Sequence, residues 1–357
     1  MDGDVKMLTA ADGPGYQAET PESGAVAVPG RRAEPVGARD LVVPAILRDG
    51  IGRTAGGGAW IARLPELVDR AVARWGLELG EPFRTGYASW CAPIIARGGR
   101  DAVLKIVFPH DEARHEARAL RAWDGRGAVR LLDDAPEDWA LLLEHVRPGT
   151  SMTESDATAE ERLAAGADVH RELCGAAADP GSRALRDLQE AVPSVVEVCR
   201  GWSDLLADRA ARAAVEGDLD LDPGLLALAV TYLRDLPTSA GRDVVVHGDF
   251  NPGNLLRAPD GRWVVIDPKP MHGDPAYDLW PLLSQVDDPF RRAHPADVLR
   301  SRLALVSDRA GLDAQRIAAW SVARACEQAL WTWAELGDLA LADRELQRAA
   351  VWASLVG

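Results

Sequence analysis

Lysine is almost absent from this chain. Of forty basic residues only three are lysines: Lys6, Lys105 and Lys269. The arginine excess fits a GC-rich coding sequence. Against it, a retained lysine marks a place where a compact ammonium is needed and a planar guanidinium does not fit. Cysteine is also scarce. Cys91, Cys174, Cys199 and Cys326 lie far apart with no CxxC pair, which excludes a sequence-local zinc site and a disulfide frame and fits reduced thiols. No apolar run approaches the ~20 residues of a membrane helix. The opening MDGDVKMLTAADG lacks a basic start followed by an apolar segment, so no secretory signal is expected and the cytoplasm is the expected location. Net positive charge is missing too. The formal charge of −15 argues against nucleic acid and anionic membranes as partners, because like charge repels phosphate. It is compatible with a cationic small substrate, and equally with a solvated acidic surface.

What is present is enough apolar material, 47% of 357 residues, for a sizeable core in one or two domains. Residues 1–43 are rich in Gly, Pro, Ala and Glu without periodicity and read as a disordered tail. From Trp60, WIARLPELVDRAVARWGL places Ile61, Leu64, Leu67, Val68, Ala71, Val72 and Trp75 on one helical face. CAPIIA and AVLKIVF, separated by Gly98-Gly99, form a hairpin signature. DEARHEARALRAW reads as a helix, and VRLLDD and WALLLEHV as two more strands. Residues 44–146 therefore describe a small β-rich lobe with an inserted helix.

The texture changes at Arg147. Residues 147–357 are mostly helical, opening with a capping box at Thr158 and Glu161. A later helix is capped by Asp222 with Pro223 in its first turn. One stretch interrupts the helices: VVVHGDFNPGNLLRAPDGRWVVIDPKP, Val244 to Pro270, read as a single hairpin turning at APDG. It sets Asp249 at one strand end, Asn254 five residues on, and Asp267 at the next strand end. That supplies one base and two oxygen ligands. Oxygen ligands suit Mg²⁺, which keeps waters and recruits phosphates rather than filling a closed protein cage. Phosphoryl transfer needs such a set: a carboxylate to align the acceptor hydroxyl, metal on the phosphates, and a further cation. Lys105 is the candidate cation, and Glu116, on the next helix, its ion-pair partner.

HGDFNPGNLL followed by VVIDPKP resembles the signature of the aminoglycoside phosphotransferases, relatives of the protein kinases. The ordered set WIARLPELVDRAVARWGL, VLKIVFPHDEARHEARALRAWDGRGAVRLLD, LLLEHVRPGT, VIDPKPMHGDPAYDLWPLL and ALWTW is similar to the streptomycin 6-kinase and hydroxyurea-resistance branch, from about residue 44 to the end. The resemblance implies an α+β, bilobal protein-kinase-like fold that binds ATP and Mg²⁺. It makes Asp249 the catalytic aspartate, Asn254 and Asp267 metal ligands, and Lys105 the nucleotide-phosphate lysine paired with Glu116. Glu144 to Val146 become the hinge that receives adenine. Asp278, in DPAYDL, braces the catalytic loop. One departure is clear: RTGYASWCAPI replaces the expected glycine-rich phosphate loop. Only Gly86 remains, leaving Ser89 and backbone N–H groups to cover phosphate. Lys269 receives no role.

Other readings of the same residues are blander. Strand-end Asp and Asn residues often only cap turns, and the ordered motifs outweigh that here. Trp320, Trp331 and Trp333 read as helix-packing residues. Trp331 and Glu327 nevertheless stand one helical turn apart, where a ring and a carboxylate together suit an amino- or guanidino-bearing acceptor; Asp274 is a third candidate contact. A binuclear metallophosphoesterase would need more histidines than this stretch offers, and a catalytically dead kinase fold would not need all of Asp249, Asn254, Asp267 and Lys105. The expected acceptor is a streptomycin-type aminocyclitol, with an amino sugar such as glucosamine, or hydroxyurea, as alternatives.

Overall fold

A computed structural model describes residues 41–84, 86–177 and 182–357. Most of the expected tail, residues 1–40, lies outside the described residues, as does Thr85. Leu41 and Val43, assigned to the tail, instead pack against the first core, and the Val42 carbonyl accepts the Trp90 indole N–H at 3.0 Å. The chain forms two compact units, one of residues up to Ala117 with Val129–Val146, the other of Arg118–Ala128 with Arg147–Gly357.

The first unit contains α1 (Ala45–Asp49), α2 (Gly57–Trp75), β1 (Glu78–Leu79), β2 (Ser89–Ala96), β3 (Arg100–Val107), the start of α3 (Glu116–Trp123), β4 (Leu131–Ala135) and β5 (Ala140–Glu144). The strands make one antiparallel sheet in the order β1-β2-β3-β5-β4. Gly98 and Gly99, both at positive φ, turn β2 into β3, as only glycine does without strain. Successive β3 side chains point to opposite faces. Ala102, Leu104 and Ile106 are fully buried in a core with Trp60, Leu64, Leu67 and Val68 of α2. Val103 and Lys105 therefore occupy the other face. The helix expected from Asp111 begins instead as a 3₁₀ segment, Asp111–His115, ahead of α3.

The second unit contains α4 (Ala159–Ala177), α5 (Arg183–Gln189), α6 (Val195–Glu216), α7 (Pro223–Thr238), four three-residue strands, β6 (Val244–Val246), β7 (Leu255–Arg257), β8 (Trp263–Val265) and β9 (Met271–Gly273), and then α8 (Leu279–Gln285), α9 (Pro295–Ala310), α10 (Ala314–Trp331) and α11 (Leu339–Ala353). Both expected helix starts are present. Thr158 Oγ1 accepts from the Glu161 N–H at 3.2 Å while Glu161 returns to the Thr158 N–H at 2.8 Å, and Asp222 caps α7. Helix α10 is buried all round from Ile317 to Glu327, mostly through apolar side chains but with Ser321, Arg324 and Glu327 among them, as a central helix is. A π-helical turn, Thr332–Leu336, extends it.

The single hairpin expected here is two ladders. β7 and β8 form it, but β6 pairs antiparallel with β9 on the far side of the hairpin. Asp249 therefore stands on the loop that leaves β6, while Asn254 and Asp267 flank the β7–β8 hairpin. Among the described residues no helix is long and apolar enough to cross a membrane.

Candidate functional site

Strand β6, three fully buried valines, delivers the loop His247-Gly248-Asp249. Asp278, itself 2% exposed, holds this loop from below. Its Oδ2 accepts the His247 N–H at 2.7 Å and its Oδ1 the Gly248 N–H at 2.9 Å. Burial pushes its carboxyl up to about 7, against those two hydrogen bonds and the Arg324 charge. The guanidinium of Arg324 lies 4.4 Å from the Tyr277 ring centroid, with Trp202 and Trp280 at 5.0 and 5.4 Å. That cage places a desolvated cation beside the brace.

His247 is likewise a brace. Its Nε2 contacts the Ile266 carbonyl at 3.1 Å and so carries the proton, which leaves Nδ1 to accept the Asp249 N–H at 3.2 Å. Burial lowers it to about 4, although the Asp249 and Asp267 charges pull the other way. The ring stacks on Trp123 and meets Phe250 edge-on. Both ring nitrogens are thus engaged by backbone, and His272 pairs with Asp243 at 2.9 Å. Neither is arranged as a ligand of a binuclear phosphoesterase centre.

Gly248 has φ +85, and a Cβ there would lie 1.9 Å from the Lys269 carbonyl oxygen. No side chain fits, because two backbones meet at that point. Gly248→Ala is expected to cost about 1–3 kcal/mol from φ alone, with more from the clash. Thermal melting and turnover should fall together; an unchanged melting temperature would contradict the close approach.

The Asp249 carboxylate is held on both oxygens. Asn251 Nδ2 donates to Oδ1 at 2.8 Å, and Asn254 Nδ2 donates to Oδ2 at 3.3 Å and to the Asp249 carbonyl at 3.0 Å. Asn251 Oδ1 also caps the 3₁₀ turn Pro252–Asn254 through the Gly253 and Asn254 N–H groups. With its nitrogen turned to Asp249, Asn254 has its carbonyl oxygen left to face a cation. The Ile266 N–H donates to the Asn254 main-chain carbonyl at 2.9 Å, which sets Asp267 beside it. Asp267 has φ +60, a left-handed conformation that costs a non-glycine residue energy and concentrates at functional sites. One amide oxygen and one strained carboxylate form an open oxygen donor set. Such a set fits Mg²⁺ completed by waters and phosphate. Among the described residues no group of three His, Cys, Asp or Glu makes a closed metal cage. Lys269 Nζ lies 3.7 Å from Asp249 Oδ2.

In the first unit, Lys105 Nζ and Glu116 Oε1 are 2.7 Å apart with side chains 6% and 2% exposed. Ser89 opens β2, with its hydroxyl 3.6 Å from Cys91 Sγ, and so belongs to a strand rather than a loop. Gly86, at φ +120, precedes it. Glu144 ends β5, exchanging main-chain and side-chain bonds with Arg130, and Val146 is buried.

The three candidate acceptor contacts are buried. Asp274 accepts from Arg316 Nε and Trp320 Nε1, each at 2.6 Å, and from the Ala276 N–H. Glu327, 3% exposed, lies 3.5 Å from Arg209, and burial raises its carboxyl. Trp331 is 8% exposed. Asp274 is thus an internal brace, whereas the buried Glu327 Oε1 has no hydrogen-bond partner. Residues that sequence reasoning left out are Asn251, legible as an Asn-Pro turn signal, Lys269, legible only by its rarity, and Arg324, which has no local signal.

Comparison with known proteins places these residues in context. The model of the aminoglycoside/hydroxyurea antibiotic resistance kinases matches residues 74–337. Streptomycin 6-kinase of Streptomyces griseus is 36% identical over 81% of this chain and 90% of its own. Hydroxyurea phosphotransferase of Kitasatospora aureofaciens is 33% identical over 83% of this chain and 81% of its own. Among solved structures, macrolide 2′-phosphotransferase MphH of Brachybacterium faecium matches with a TM-score of 0.53 at 19% identity, covering 82% of this chain and 98% of that one. That likeness is one of fold, the bilobal α+β architecture.

Proposed function

Because the chain belongs to the aminoglycoside/hydroxyurea antibiotic resistance kinase family, we propose that it moves the γ-phosphoryl group of ATP to a hydroxyl of a small cationic acceptor, a streptomycin-type aminocyclitol first. The observation that carries this reading is the Asp249 loop: a carboxylate fixed by two asparagines, on a backbone anchored by Asp278, beside a strained Asp267.

In this reading the first unit is the nucleotide-binding lobe and the second the catalytic lobe. Lys105, steadied by Glu116, holds nucleotide phosphate, and the Glu144–Val146 segment receives adenine. The backbone around Gly86 and Ser89 lies over the phosphates. Asn254 and Asp267 hold Mg²⁺, which when bound neutralises phosphate charge. Asp249 aligns the acceptor hydroxyl and takes its proton. Its carboxylate has about four lone-pair sites, and the contacts from Asn251, Asn254 and Lys269 leave one on Oδ1 for that hydroxyl. Asp274 supports the acceptor side from within the helical core instead of touching the acceptor, and Glu327 and Trp331 are buried in that core.

A coupled assay of ADP release with ATP and Mg²⁺ tests the reading, using streptomycin, dihydrostreptomycin, glucosamine and hydroxyurea as acceptors. Release is expected with streptomycin. The 33% identity to a hydroxyurea phosphotransferase makes hydroxyurea the second reading, and release with it alone would select that one. No release with any acceptor and no nucleotide binding would overturn both.

A further inference from the structure

Lys269 is one of three lysines in the chain, and the kinase reading leaves it without a task. Backbone fixes its place. Its N–H donates to the His247 carbonyl at 2.8 Å, and its own carbonyl oxygen abuts Gly248, where a Cβ would fall 1.9 Å away. Both contacts tie residue 269 to the loop that carries Asp249. The side chain then reaches back until Nζ is 3.7 Å from Asp249 Oδ2, with 18% and 19% of the two side chains exposed.

We propose that Lys269 is a further catalytic residue, whose ammonium touches the transferring phosphoryl group beside the acceptor oxygen. The proposal rests on the phosphotransferase reading and deepens it. An acceptor hydroxyl bonded to Asp249 lies about 2.6–3.2 Å from that carboxylate and attacks phosphorus from about 3–3.5 Å. An ammonium 3.7 Å from the same carboxylate is within a small adjustment of its flexible stem from an equatorial phosphoryl oxygen. In the step, the acceptor oxygen forms the new bond to phosphorus. The bond from phosphorus to the bridging oxygen breaks, its electron pair leaves with ADP, and the hydroxyl proton passes to Asp249. Negative charge stays on the three equatorial oxygens throughout, where a fixed cation acts most strongly.

A merely structural ion pair makes a different prediction. Arginine pairs with carboxylate at least as well as lysine does, so where unchanged thermal melting shows that the guanidinium is accommodated, Lys269→Arg would keep such a bridge intact. It would not keep a compact point charge at the phosphoryl oxygen.

The test measures Lys269→Met and Lys269→Arg in the full chain. Readouts are kcat, KM, thermal melting, and affinity for two ligands in the presence of acceptor: a non-hydrolysable ATP analogue, and ADP with aluminium fluoride, which mimics the phosphoryl group in flight. Both variants are expected to lose about 10²- to 10³-fold in kcat, with KM for ATP and acceptor held within about threefold. Affinity for ADP–aluminium fluoride should fall by a similar factor to kcat while the ATP analogue binds as before. Near wild-type kcat in either variant, or equal losses for the two ligands, would overturn the proposal. If the methionine variant melts early, the arginine variant and the ligand comparison decide. A wild-type protein that turns over no acceptor and binds no nucleotide would overturn the kinase reading itself, and this proposal with it.

Discussion

Asp249→Ala should reduce turnover by about 10²- to 10⁴-fold, the range a positioned general base supplies, with ATP-analogue binding preserved. The reason lies in how the carboxylate is held. Asn251 and Asn254 each spend an amide N–H on it, so its orientation does not depend on a bound acceptor. That is the pre-organisation that lets a base act without reorganising at the moment of reaction. The loop itself is anchored elsewhere, through the His247 and Gly248 N–H groups on Asp278. Removing the Asp249 carboxylate should therefore leave the loop in place. Steady-state kinetics beside calorimetric titration of the analogue separates the outcomes. Near-normal turnover would mean that Asp249 is not the base, and a parallel loss of nucleotide binding would mean that it belongs to the metal set.

Lys105→Met should both destabilise the first unit and weaken nucleotide binding. Lys105 and Glu116 form a buried ion pair at 2.7 Å, and removing one partner of such a pair costs about 3–5 kcal/mol. The remaining carboxyl relieves part of that by taking up a proton. The double variant Lys105→Met, Glu116→Leu removes both charges and replaces them with apolar side chains on a face already lined by the sheet, so most of the stability should return. Nucleotide binding should not return. Melting temperature and ATP-analogue affinity, measured on the single and double variants, separate the two roles. Recovery of binding along with stability would reduce Lys105 to a structural residue.

How much of this was legible depended on how local each signal was. The β2–β3 hairpin could be read because Gly98-Gly99 sits between two apolar runs. The starts of α4 and α7 could be read because caps act within three residues. The face of α2 followed from its period. The chemistry of Asp249, Asn254 and Asp267 was legible because they are crowded into nineteen positions of the chain. Strand β9 was not legible: three residues after a proline carry no period, and their partner β6 lies on the far side of the hairpin. Ser89 was read as loop because its strand continues past the apolar run. Asp274 looked available because its partners, Arg316 and Trp320, are more than forty residues away. The Arg324 cage likewise gathers rings from two distant segments, Trp202 of α6 and the pair Tyr277 and Trp280 where the 3₁₀ turn Pro275–Asp278 runs into α8. A sequence read along one line does not display such clusters.

The central claim is direct transfer from ATP to an acceptor hydroxyl aligned by Asp249. Following the label from γ-³²P ATP in the presence of streptomycin tests it most directly. The account predicts label on the small molecule in the wild type, none on the protein at any time point, and acceptor labelling slowed about 10²- to 10⁴-fold with Asp249→Ala. A burst of label bound covalently to the protein, or undiminished labelling of the acceptor by the Asp249→Ala variant, would contradict it.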